Sequence, residues 1–126
     1  MSQTSSRIVA VVDDEAAVCE ATASLLRSAG LRVASFTSAE DFLAGASPGD
    51  FGCLILDVNL PGMNGLQLQQ SLVQNGCGVP VILITARDDG DGRIRAQAMQ
   101  QGARALLFKP FLDDDLLDAV RSALQG

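Results

Sequence analysis

A chain of 126 residues with 48% hydrophobic content is long enough to bury a core as one domain without disulfide or metal staples. Its net charge of −6 argues against a grip on nucleic acid, whose phosphates are held by clustered Lys and Arg. The sequence has no His, which excludes His-based acid–base catalysis and His metal ligation, and no apolar run approaches the ~18 residues of a membrane span.

The opening Met1-Ser2-Gln3-Thr4-Ser5-Ser6 lacks a basic start followed by an apolar segment, which points to the cytoplasm. Residues 1–6 are expected to be a disordered tail ahead of one domain over 7–124. Five Phe without Trp or Tyr predict an aliphatic core. Cys19, Cys53 and Cys77 are an odd set without metal-type spacing and read as buried or incidental thiols.

Residues 8–12 are wholly apolar and β-rich, and Asp13-Asp14-Glu15 follows. Apolar residues then recur at Val18, Ala21, Leu25, Leu26 and Ala29, which predicts a helix over 16–29 stopped by Gly30. A second strand is expected over 31–36. Ser38 offers an N-cap, with Asp41 three residues on as a capping-box partner, for a helix ending near 45–48. The apolar run 53–56 reads as a strand covered on both faces. Asp57 ends it, and a loop with Pro61, Gly62 and Gly65 must turn. A third helix is expected over 65–75, carrying Leu66, Leu68, Leu72 and Val73. The apolar run 81–84 predicts a fourth strand, followed by Thr85 and Ala86. Beyond the Gly/Asp-rich loop 88–92 comes a weak helix over 93–101, with Ile94 and Met99 as its large apolar residues. A fifth strand over 105–108 ends in Lys109-Pro110. A last helix over 112–124 would present Leu112, Leu116, Leu117, Val120 and Leu124 on one face, with three Asp residues in its first turn where the dipole favours them.

Five strands alternating with five helices imply an α/β sandwich of three layers, a parallel sheet with helices on both faces. Ligand sites in such sheets lie at the carboxyl ends of the strands. Asp13, Asp14, Asp57, Thr85 and Lys109 therefore converge on one edge. Singly, each is a common polar strand end; together they are a candidate site. Clustered carboxylates stay ionised only when cations neutralise them. Lys109 supplies one charge, and Mg²⁺ suits a small oxygen site that keeps waters and a phosphate. A carboxylate nucleophile, a metal and a cationic clamp are the parts for phosphoryl transfer, with Asp57 as acceptor.

Val11-Val12-Asp13-Asp14-Glu15, Leu56-Asp57-Val58-Asn59-Leu60-Pro61-Gly62-Met63-Asn64-Gly65, Ile84-Thr85-Ala86 and Lys109-Pro110-Phe111 stand in an order and spacing that resembles the receiver domain of bacterial two-component response regulators. Leu107-Phe108-Lys109-Pro110-Phe111 and Asp88-Asp89 look most like regulators of the nitrogen-fixation type, which carry a helix-turn-helix output domain. The resemblance implies a flavodoxin-like (βα)5 fold with strand order 2-1-3-4-5. It implies that Asp57 accepts a phosphoryl group from a histidine kinase or histidine phosphotransfer protein. Mg²⁺ (or Mn²⁺) would be held by Asp14, Asp57 and the backbone carbonyl of Asn59, with Asp13 acting through water. Thr85, with Ala86 beside it, would move to the phosphoryl group, Lys109 would pair with it, and the Lys109-Pro110 bond would be cis. The surface of the fourth helix, fifth strand and last helix would switch, supporting a phosphorylation-dependent homodimer or partner contact and a transcriptional output. The domain would be no enzyme beyond its own phosphorylation and dephosphorylation, and would contact neither nucleic acid nor membrane itself. It departs from the family at Leu106, where an aromatic switch residue is usual.

Two other readings use similar parts. A phosphatase of the haloacid-dehalogenase type also uses an Asp nucleophile, but with two Asp residues two positions apart and a cap insertion. A flavin module of this fold would want a Ser/Thr/Gly-rich loop after the first strand, where this chain has three acids.

Overall fold

Side chains alternate across a strand, so each buried strand feeds two cores. In the computed structural model, which describes residues 8–86 and 92–125, this alternation sorts the whole fold. Five strands, β1 (Ile8–Val12), β2 (Arg32–Phe36), β3 (Cys53–Asp57), β4 (Val81–Thr85) and β5 (Ala105–Phe108), form one sheet in the order β2-β1-β3-β4-β5. Every neighbouring pair is parallel. The helices are α1 (Ala16–Ser28), α2 (Ala39–Gly45), α3 (Gly65–Gln74), α4 (Arg93–Gln100) and α5 (Asp113–Gln125). Ala10, Val12, Leu54, Leu56 and Leu83 pack with Phe42 of α2, Leu68 and Leu72 of α3 and Ala98 of α4. Val9, Val11, Cys53, Ile55, Ile82 and Ile84 pack on the opposite face with Cys19 and Leu26 of α1 and Leu116 and Val120 of α5. The expected three-layer sandwich and strand order are thus observed.

Strands β3 and β4 are buried along their whole length, which accounts for their unbroken apolar runs. Edge strand β2 is only partly covered. Beneath it Phe36 and Phe42 meet edge to face at 5.2 Å, with Phe51 joining the cluster.

Several expectations need correction. The helical face of α5 is set by Leu116, Val120 and Ala123. Leu112 lies before the helix and is 71% exposed; its carbonyl instead accepts from Asp115 N and Leu116 N. Val73 is also exposed. As expected of a weak helix, α4 buries only Ala98 in full, with Ile94 partly covered and Met99 exposed. Ser38 caps α2 by accepting from Asp41 N at 2.9 Å, but the Asp41 carboxylate accepts from Thr37 Oγ1, so the box is only half formed. A complete capping box closes α3 instead, between Asn64 and Gln67. A 3-10 turn over Pro48–Asp50 leads into β3. The Lys109-Pro110 bond is cis, as expected. The tail 1–6 and Asp88-Asp89 lie outside the described residues.

Candidate functional site

The carboxyl ends of β1, β3, β4 and β5 meet at one edge because the parallel register carries them there. Asp57 is the last residue of β3 and is only 5% exposed. Behind it the chain doubles back tightly: Gly65 N donates to Val58 O at 3.2 Å. A Cβ on Gly65 would stand 2.5 Å from Asp57 O, so only glycine lets α3 start this close to the strand end.

Both oxygens of Asp57 are held. Asn59 N donates to Oδ1 at 2.8 Å, and Lys109 Nζ donates to Oδ2 at 3.1 Å. Lys109 is the chain's only lysine, and it also reaches Asp13 Oδ2 at 3.3 Å. Asp13 is nearly buried, with Oδ1 accepting from Glu15 N at 3.0 Å. Asp14 beside it is exposed. Carboxylate oxygens of Asp13, Asp14 and Asp57 lie within 4.8 Å of one another. Three hard oxygen donors of which one faces solvent fit a divalent cation that keeps part of its water shell.

The electrostatics follow from burial and pairing. Burial raises the Asp13 carboxyl above its ordinary range; the Glu15 N–H works against this, and the neighbouring Asp57 charge adds to it. Burial opposes the Lys109 ammonium, but hydrogen bonding and attraction to Asp57 and Asp13 outweigh it and raise the group. The lysine therefore stays charged wherever the carboxylates do.

Thr85 ends β4 and is fully buried. Asn59 Nδ2 donates to its Oγ1 at 3.1 Å, a side-chain link the sequence reading did not anticipate. Ala86 follows, exposed at the mouth. Leu106 is brought to the edge's neighbourhood but not into it. It pairs with Leu83 in register and packs with Ala98 and Ala103. The register partner of Thr85 is Phe108, whose ring has the Arg95 guanidinium over it at 5.5 Å. The sequence reading also missed Glu40, whose Oε2 accepts from Met63 N at 3.0 Å.

A family model described as "Response regulator receiver domain" matches residues 9–121. The response regulator protein TmoT of Ectopseudomonas mendocina is 44% identical over 118 residues, covering 94% of this chain and 53% of TmoT. The transcriptional regulatory protein FixJ of Azorhizobium caulinodans is 43% identical over 116 residues, 92% of this chain and 54% of FixJ. The solved structure of the response regulator StyR superposes with a TM-score of 0.85 at 44% identity, covering 94% of this chain and 59% of that one. The chain spans about half the length of the curated relatives it matches. Neither the hydrolase nor the flavin reading survives a match of this extent. With its acidic edge, its lysine and its strand order, the chain belongs to the receiver domains of response regulators, the receiving modules of two-component signalling.

Proposed function

We propose that Asp57 is the phosphoacceptor, taking a phosphoryl group from a histidine kinase or a histidine phosphotransfer protein. The observation that carries this is the Asp57 carboxylate itself, shielded yet at the edge, with one oxygen fixed by Asn59 N and the other by Lys109. A carboxylate oxygen attacks phosphorus, the P–N bond of the donor phosphohistidine breaks, and the imidazole nitrogen keeps the electron pair. Asp14, Asp57 and the backbone carbonyl of Asn59 would hold Mg²⁺ (or Mn²⁺), with Asp13 acting through water. The bound cation offsets the charge gathered on the phosphoryl oxygens. Lys109 then trades part of its Asp57 contact for the phosphoryl group. The Thr85 hydroxyl, next to Ala86, turns from Asn59 toward the same oxygens.

The domain, over 7–124, works in the cytoplasm as a switch rather than as an enzyme on other substrates. Among the described residues no helix is long and apolar enough to cross a membrane. Its output passes through the surface of α4, β5 and α5, by a phosphorylation-dependent homodimer or partner contact, to transcription. The curated names of FixJ and its neighbours as transcriptional regulators support that end point. With Leu106 in place of an aromatic ring, the change is carried by the chain after Thr85 and by α4.

The test is acetyl phosphate with Mg²⁺, read by intact mass. The wild type gains one phosphate, chelation of Mg²⁺ prevents it, and Asp57→Asn stays unlabelled. Undiminished labelling of Asp57→Asn removes the assignment.

A further inference from the structure

The loop 58–64 carries Asn59 and is tied from two sides. On its inner side Asn59 N is bonded to Asp57 and Gly65 N to Val58 O. On its outer side it is held from another element altogether. Glu40, in the first turn of α2, reaches across so that Oε2 accepts from Met63 N at 3.0 Å. Gly62 makes room for it: its φ is +70°, and a Cβ there would lie 2.8 Å from the same Oε2. A side chain at position 62 would thus displace the carboxylate as well as strain the turn. The Met63 N–H draws the Glu40 carboxyl below its ordinary range, the mark of a bond made to the charged form.

We propose that Glu40 is a positioning residue for the phosphoacceptor site, a latch from α2 that holds the Asn59 carbonyl where the cation needs it. The inference rests on the proposed reading of that site. Glu40 is not among the clustered carboxylates and acts through the loop alone. Releasing Met63 lets the loop drift and takes the Asn59 carbonyl with it, while Asp14 and Asp57 stay in place. The loss therefore falls on cation affinity and not on the rate once the cation is bound.

Two variants and two readouts test this. Mg²⁺ affinity is measured from amide shifts, and acetyl phosphate labelling is timed at limiting and saturating Mg²⁺. Glu40→Ala is expected to weaken Mg²⁺ binding by roughly threefold or more, the low end of a hydrogen bond's net worth because this one is exposed and acts on the cation only through the loop. Its labelling slows at limiting Mg²⁺ and recovers the wild-type rate at saturation. Glu40→Gln keeps an acceptor oxygen without the charge and should lie nearer the wild type than the Ala variant. Equal Mg²⁺ affinity in wild type and Glu40→Ala overturns the proposal. Equal loss in both variants also overturns it, because a remote charge effect and not the bond would then be responsible. Normal labelling of the wild type with unchanged variants removes this inference alone. A wild type that neither binds Mg²⁺ nor takes a phosphoryl group removes the reading of the site and this inference with it.

Discussion

Lys109 reports on the site by itself, because no other lysine competes with its signal. In ¹³C-lysine-labelled protein its ε-methylene resonance should titrate above the ordinary 10.5, since contacts to Asp57 and Asp13 outweigh burial. Asp57→Asn should lower that midpoint by removing the contact at 3.1 Å. The sign follows from linkage: a lysine raised by folding lends stability that is complete below 10.5 and lost as pH climbs through the folded value. A metal-free midpoint at or below 10.5 would mean that burial wins over pairing. At this scale the sequence was legible where a residue ends a buried strand. Asp57, Thr85 and Lys109 could be placed because parallel strands deliver their ends to one edge. Which of Asp13 and Asp14 is covered was not legible, since it depends on how Glu15 N folds back onto Asp13. Nor was Glu40, whose partner is a backbone amide with no side-chain signature.

Among the elements, α4 is the least anchored, and that much was visible in a segment poor in large apolar residues. Ile94 packs partly against the core and Met99 is exposed, while Ala98, at the seam with α3, is the residue the helix buries in full. At that seam Gln69, 1% exposed, donates to Ala98 O at a long 3.5 Å. Its Oε1 finds no partner among the described residues, and neither does Gln101 Oε1. Such oxygens cost about 1–3 kcal/mol each when left unmet. The Arg95 contact on Phe108, being exposed, returns only about 0.5–1 kcal/mol. Amide exchange should therefore be faster in α4 than in α3 or α5. Gln69→Met, similar in shape and without the amide, should slow α4 exchange by roughly fivefold, the equivalent of about 1 kcal/mol. Beryllofluoride, as a phosphoryl mimic, should alter protection in α4 more than around Leu106. The reverse pattern would count against an output carried by this helix.

On the scale of the molecule, the sheet divides two cores, and the alternation of β3 sends Leu54 and Leu56 to one and Cys53 and Ile55 to the other. That division was legible because apolar runs bounded by charges leave few other arrangements for 126 residues. The burial of Cys53 at the centre was expected, though not its consequence for stability. Burial pushes the Cys53 thiol from an ordinary 9.0 up to about 12, with nearby Arg104 pulling the other way. A thiol raised by folding leaves the native state holding a proton that the unfolded chain gives up. Stability is therefore unaffected below 9.0 and falls as pH rises toward 12. At about 1.4 kcal/mol per pH unit, the loss across that span is roughly 4 kcal/mol, a large part of the 5–15 kcal/mol of an ordinary domain. Lys109 titrates in the same direction from 10.5 upward, so the two must be separated. Cys53→Val keeps the core apolar at similar volume and removes the titrating group. Urea midpoints between pH 8 and pH 11 (roughly the span where the unfolded thiol and then the lysine release protons) should fall steeply for the wild type. They should fall less steeply for the variant, whose remaining slope belongs to Lys109. Parallel curves for the two proteins would show that the thiol takes no part in the alkaline loss.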